Sequence, residues 1–336
     1  MAWKRSGVRF SLAPRQPFGL HDECFAFVGS RSASAGEPPV APLMADPALP
    51  APDRLVELPD GRRVALDDRG DPDGFPVLYV HGTPDSRLAR HPDDELARRA
   101  GVRLLAADRP GIGSSDPDPE STPASFADDL AALLDDLGIE RAAVLSWSTG
   151  AIHALAFAGT HPHRCARVVL AAPLVPADAY DDPSVLDGSD DARRLFADAH
   201  RGMDPGEVGA ELAPWLVPSV IDDATAREMM AGSIAALADV AGAAEQLALA
   251  VRASVAGGMT GVERDITAQA TGLGDLLDRI TAPVSVHVGT DDVVTPPAMA
   301  RWLGVRLGAE PRVHDGIGHE LAIRLWADLV REAAGS

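Results

Sequence analysis

Short, almost continuously apolar runs alternate with amphipathic stretches along most of the chain, and that alternation predicts an α/β architecture. Residues 77–80, 102–107, 142–147, 168–172 and 284–288 are nearly free of polar positions, as strands are when helices cover both faces of a parallel sheet. Residues 312–314 form a shorter candidate of the same kind. Between these runs, 87–100, 123–137, 149–159, 273–280, 297–307 and 320–333 read as helices. The helix at 123–137 carries its own punctuation: Thr122 as N-cap, Pro123 at the first helical position and Gly138 closing it. Ahead of the first buried strand, residues 55–58 and 64–66 flank Asp60-Gly61, which predicts a hairpin. Such βαβα alternation makes a mostly parallel sheet wrapped by helices.

The rhythm lapses after Pro173. Residues 174–261 are acidic and helical in pattern, with an Ala-rich run at 224–256 and no strand signal, before the α/β rhythm resumes. This predicts a core made of residues 44–173 and 262–336, interrupted after the strand near 168–172 by a helical cap or lid at 174–261. Residues 1–43 belong to neither part. They hold the only Lys of the chain and carry a net charge of +2, against −22 from Met44 onward, and their apolar residues follow no period. The expectation is an N-terminal extension that is disordered or artefactual, with the folded protein starting near Met44.

Composition narrows the partners. The 336 residues carry 50 Asp and Glu against 30 Lys and Arg, a net charge of −20, with a pI near 4.8. Nucleic acid and anionic membrane surfaces are therefore not expected partners. No uncharged apolar run is long enough to span a bilayer, and no secretory signal core stands at the start. The two cysteines, Cys24 and Cys165, fall one in the extension and one in the body, so no structural disulfide is expected and the cytoplasm is the default compartment. A small-molecule substrate is the partner this balance suits; the sequence leaves the oligomeric state open.

Four short motifs carry the chemistry. Leu145-Ser146-Trp147-Ser148-Thr149-Gly150 stands where an apolar strand ends and a helix begins. A serine hydroxyl becomes a useful nucleophile when a sharp turn exposes it beside a base, and such a turn needs small residues two before and two after it. Ser146 and Gly150 meet that need for Ser148, although Ser146 stands where glycine is usual. His81-Gly82-Thr83-Pro84 follows the strand at 77–80, where Gly82 lets the backbone turn. The Thr83 and Thr149 amides are then placed to hold a developing oxyanion. Gly289-Thr290-Asp291-Asp292 and Gly316-Ile317-Gly318-His319 follow the strands at 284–288 and 312–314. Together they offer a carboxylate to orient an imidazole and an imidazole to take the serine proton. All lie after the C-terminal ends of strands, where open α/β sheets gather their sites.

With these motifs in the order Ser, Asp, His, the chain resembles the α/β-hydrolase superfamily over about residues 54–333. Asp108-Arg109-Pro110-Gly111-Ile112-Gly113-Ser114-Ser115 and the position of the helical insert are similar to the family's as well. The resemblance implies an α/β-hydrolase fold with Ser148 as nucleophile, His319 as general base and acid, and Asp292 as orienting acid. The family's acid usually stands three residues after the glycine, which favours Asp292 over Asp291. In a variant arrangement the acid follows the strand before the insert, where Asp178 stands. The expected activity is hydrolysis of a small, neutral ester or lactone-like carbonyl compound through an acyl-enzyme on Ser148. Carbon–carbon bond hydrolysis, cofactor-free haloperoxidase-like chemistry, or a ligand-binding protein whose chemistry has lapsed are the alternatives. Serine at the elbow argues against the dehalogenase and epoxide hydrolase branches, which use Asp there.

No cofactor and no metal are expected. His161, His163, Cys165 and His153 are close in sequence but lack the spacing of a zinc site. Gly111-Ile112-Gly113 lacks the third glycine of a dinucleotide fingerprint, and no phosphate-loop motif is present.

Overall fold

The protein, as a computed structural model, is described over residues 48–335; the expectation for residues 1–43 lies outside them. Eight strands form one sheet: β1 (Arg54–Glu57), β2 (Arg63–Gly70), β3 (Phe75–Val80), β4 (Val102–Ala107), β5 (Ala142–Trp147), β6 (Cys165–Ala171), β7 (Val284–Gly289) and β8 (Arg312–His314). Their spatial order is β1-β2-β4-β3-β5-β6-β7-β8. β1 pairs with β2 and β2 with β4 in antiparallel fashion, and every later pair is parallel. This is the α/β-hydrolase architecture, with the hairpin turning at Gly61 (φ 87°).

Side-chain alternation divides the core in two. Leu78, Val80, Val144 and Leu170 point to one face of the sheet, against the helices at residues 123–136 and 150–160. Val77, Tyr79, Leu145 and Val169 point to the other, with Trp326, Leu329 and Val330 of the last helix. Period-two alternation inside a continuously apolar strand is what a doubly covered sheet requires. The core helices are α1 (Glu95–Arg99), α2 (Pro123–Asp136) and α3 (Gly150–Thr160). Between β6 and β7 come α4 (Asp191–Gly202), α5 (Pro205–Leu216), α6 (Asp223–Met229), α7 (Ala231–Ala236), α8 (Ala243–Ser254) and α9 (Thr260–Gln269). α10 (Pro297–Leu307), α11 (Leu321–Arg324) and α12 (Trp326–Ala334) complete the chain.

Four helical segments differ from the expectation. Residues 87–94 are not helical: Pro92 disfavours helix at the residue before it, and Arg87 and Arg90 turn inward to Asp67 and Asp108. Helix therefore starts only at Glu95. The Ala-rich run 224–256 splits into α6, α7 and α8, with Gly242 at φ 81° setting the start of α8. The 320–333 segment breaks at Leu325 into α11 and α12, and 274–279 is a 3-10 turn. No helix among the described residues is long and apolar enough to cross a membrane.

The helical segment between β6 and β7 extends past residue 261 and is fastened to the loop after β4. The Gly113 amide donates to Ala253 O at 3.1 Å. Gly111 and Gly261 approach so closely that a Cβ on Gly261 would collide with the Gly111 carbonyl. The third fastening is a buried ion pair at the site itself.

Candidate active site

Ser148 sits between β5 and α3 at φ 56°, a left-handed conformation that costs a non-glycine residue on the order of 1–3 kcal/mol and persists only when its surroundings hold it. Two backbone bonds do so here: Ser148 N donates to Ala171 O at 3.0 Å, and Leu174 N donates to Ser148 O at 3.0 Å. Small neighbours are a steric necessity. A Cβ on Gly150 would meet the carbonyls of Val80 and His81, the latter at 2.7 Å, and one on Gly82 would meet Ser148 Cβ at 3.1 Å. Ser146 is wholly buried in β5, its Oγ without a hydrogen-bond partner.

The loops after β7 and β8 bring the other two predicted residues to the serine. His319 Nε2 lies 3.0 Å from Ser148 Oγ, and His319 Nδ1 lies 2.9 Å from Asp292 Oδ2. Asp292 Oδ1 accepts the Val294 and Thr295 amides at 2.9 and 2.8 Å. The other carboxylates considered for this position face elsewhere: Asp291 Oδ1 accepts from Thr290 Oγ1 at 2.9 Å. Asp178 Oδ2 accepts the Leu273 and Gly274 amides at 2.7 and 2.9 Å. Burial works against charge on both partners, yet each stabilises the other. Despite desolvation, the His319 charge and the Thr295 bonds hold the Asp292 carboxyl below the ordinary carboxylate range. Despite desolvation, Asp292 raises the His319 imidazole above its usual value. Trp147 Nε1 donates to His319 O at 2.8 Å, fixing the backbone that carries the ring.

The turn after β3 places Thr83 beside Thr149, their hydroxyl oxygens 3.0 Å apart. Among the described residues neither threonine's amide is committed to a hydrogen bond within the chain. His81 is buried with Nδ1 2.8 Å from the Gly82 carbonyl; burial, aided by the nearby Arg109 charge, pushes its imidazole far below the usual value, so it stays neutral.

Arg109, Asp265, Thr295 and Asp85 belong to this site and were not singled out by the motif reading. Arg109 Nε and Nη2 bind Asp265 Oδ1 and Oδ2 at 2.7 and 2.6 Å. The same guanidinium donates to His81 O, to Gly82 O at 2.8 Å and to Thr83 Oγ1 at 3.1 Å. Asp265, on α9, also lies 3.1 Å from Thr83 Oγ1. The turn that carries Thr83 is thus pinned from beneath by one buried cation, whose counter-charge comes from the helical segment. Thr295 Oγ1 stands within 2.8 Å of Asp292 Oδ2 and 3.0 Å of Ala172 O. Arg109 lies inside a motif legible in the sequence and Thr295 stands three residues after Asp292, whereas Asp265 sits in a helix with no motif to mark it. The histidines near Cys165 do not converge: His153 packs edge-on against Phe126, and His161 Nε2 lies 2.8 Å from Asp128.

A strained serine between a parallel strand and a helix, with histidine and aspartate delivered by the last two strand loops, is the site layout of one large family. The profile of the alpha/beta hydrolase fold matches residues 76–320. The chain belongs to that family. The non-heme chloroperoxidase of Streptomyces lividans is 28% identical over 284 residues, covering 79% of this chain and 92% of that protein. The probable oxidoreductase EphD of Mycobacterium tuberculosis is 42% identical over 94 residues, which span 27% of this chain and only 16% of that protein. A solved thermophilic esterase from Thermogutta terrifontis superposes with a TM-score of 0.56 at 23% identity, covering 83% of this chain and 97% of the other. Fold and family place this alpha/beta hydrolase among hydrolases.

Proposed function

We propose that this protein is a serine hydrolase acting on a small ester or lactone-like carbonyl compound. The observation that carries the reading is the continuous chain from Ser148 Oγ through His319 to Asp292, with contacts of 3.0 and 2.9 Å. His319 accepts the Ser148 proton as Oγ attacks the substrate carbonyl, and the tetrahedral oxyanion is held by the Thr83 and Thr149 amides. His319 then gives the proton to the leaving alkoxide. Water, deprotonated by His319, releases the acid from the acyl-enzyme and restores Ser148. Asp292 keeps the ring oriented and balances its positive charge. The helices between β6 and β7 act as the cap over this chemistry. No step calls on a metal or cofactor.

The chloroperoxidase relative favours a second reading, in which the same site acts by cofactor-free haloperoxidase-like chemistry. Carbon–carbon bond hydrolysis would also use the same three residues. Labelling with a fluorophosphonate probe tests the common core: covalent modification at Ser148, lost in Ser148→Ala, is expected. A folded wild-type protein that fails to react would mark a ligand-binding protein instead. A screen over esters of graded acyl length, lactones and halide-dependent oxidation then separates the chemistries.

A further inference from the structure

Six aspartates are buried among the described residues: Asp67, Asp85, Asp108, Asp129, Asp265 and Asp292. Five have charged partners: Asp67 and Asp108 face Arg87, Asp129 faces Arg62, Asp265 faces Arg109, and Asp292 faces His319. Asp85 is the exception. It is 8% exposed, and its Oδ1 is buried with no hydrogen-bond partner. A buried carboxyl without donors is costly, and such a group in a native fold calls for an explanation.

Its position supplies one. A Cβ built on Gly82 would meet Ser148 Cβ at 3.1 Å and Asp85 Oδ2 at 3.3 Å, so the Asp85 carboxyl and the Ser148 side chain both border the space beside Gly82. The charged and titratable groups around Asp85 are Arg109, His319, Asp265 and Tyr79. Each is engaged elsewhere: Arg109 with Asp265 and the turn carbonyls, His319 with Ser148 and Asp292, and the Tyr79 hydroxyl with Ala89 O. Burial pushes the Asp85 carboxyl up to about 6 in spite of Arg109 and His319, the behaviour of a group awaiting a partner. The acyl-transfer scheme above does not use it.

We propose that Asp85 is a specificity-determining residue whose carboxyl accepts a hydrogen bond from a hydroxyl or ammonium substituent on the substrate, close to the reacting carbonyl. The proposal rests on the serine-hydrolase reading and narrows its substrate class to compounds bearing such a donor. A site built to bond a donor discriminates against the analogue that lacks it, because binding that analogue leaves the carboxyl buried and unpaired.

Two isosteric series test it. In the acyl series, 2-naphthyl butanoate is compared with the 3-hydroxypropanoate and 3-aminopropanoate esters. In the alcohol series, propyl butanoate is compared with the 2-hydroxyethyl and 2-aminoethyl esters. In the wild type, kcat/KM for a donor-bearing member of at least one series should exceed its methyl counterpart by about tenfold or more. Asp85→Leu should bring that ratio towards one, and Asp85→Asn should weaken any ammonium preference more than a hydroxyl preference. Because each ratio is taken within one enzyme preparation, partial unfolding of a variant cancels. A wild type with no donor preference in either series overturns the proposal, as does a preference that survives in Asp85→Leu. Fluorophosphonate labelling on the same preparations separates the two failures: labelled Ser148 with flat series sinks the Asp85 proposal alone, and absence of labelling sinks the hydrolase reading beneath it.

Discussion

Removing Asp265 should damage stability and turnover together, because its partner stands directly under the proposed oxyanion turn. Both members of the Arg109–Asp265 pair are buried, with side chains 1% and 5% exposed. Asp265→Ala strands a guanidinium that keeps only His81 O, Gly82 O and Thr83 Oγ1 as acceptors. Breaking a buried pair from one side costs about 3–5 kcal/mol, which lowers Tm by on the order of 10 °C in a protein of this size. Arg109→Met strands the carboxylate and two carbonyls, and should cost at least as much. The double variant Arg109→Met/Asp265→Ala removes both charges and leaves the two carbonyls, each worth about 1–3 kcal/mol when unpaired. Its loss should therefore fall short of the summed single losses by about 2 kcal/mol or more. Urea unfolding of the four proteins gives the cycle. Turnover of a p-nitrophenyl ester should fall in Asp265→Ala, by less than the about 10²–10³-fold that follows complete loss of an oxyanion donor. An additive cycle, with Asp265→Ala within about 1 kcal/mol of the wild type, would refute the reasoning.

Other outcomes follow from the same geometry. Ser148→Ala should lower kcat on the order of 10⁴-fold or more with the fold unchanged, read by ester hydrolysis and circular dichroism; retained turnover would remove Ser148 from its role. His319 must be neutral to accept a proton and Asp292 raises its pKa, so kcat/KM should climb with pH through a midpoint above about 6.5. Asp292→Asn removes the raising charge while burial of the ring persists, and the midpoint should move to lower pH; an unmoved midpoint would contradict the pairing. Gly150→Ala drives a Cβ into the His81 carbonyl at 2.7 Å and should cost about 1–3 kcal/mol or more, measurable as a lower Tm or loss of soluble protein. His153 is buried, and desolvation depresses its pKa far below 6.5. The unfolded state therefore takes up this proton first, and stability falls as pH drops below about 6.5. His153→Leu should flatten that part of the urea midpoint against pH; an unchanged acid slope would rule the residue out as its source.

The strands were legible because a doubly covered sheet leaves an unmistakable trace: β5 and β6 are apolar on both faces, and the sites follow their ends. The three residues of the Ser148 chain were legible for a related reason, since each lies in a loop whose glycines mark it. What escaped were features set by tertiary partners. Residues 87–94 look helical until Arg87 and Arg90 find Asp67 and Asp108 across the sheet edge. Asp265 looks like any acid on an amphipathic helix, and only its pairing with a residue 156 positions away reveals it. Asp85 was visible as a letter in the turn after β3, but its isolation is a property of burial, which no local pattern encodes.

The reach of Asp265 changes where this molecule can be cut. A chimaera that swaps the helical insert at residue 261, where the sequence pattern alone would place the seam, keeps α9 with the recipient and forces a foreign α8 onto Gly111 and Gly113. A graft ending after Gln269 carries Asp265 with the donor and imposes a foreign partner on Arg109. Neither seam is neutral, so recombining caps within this family to change substrate scope should succeed only when residue 109 and its counter-charge are exchanged as a unit.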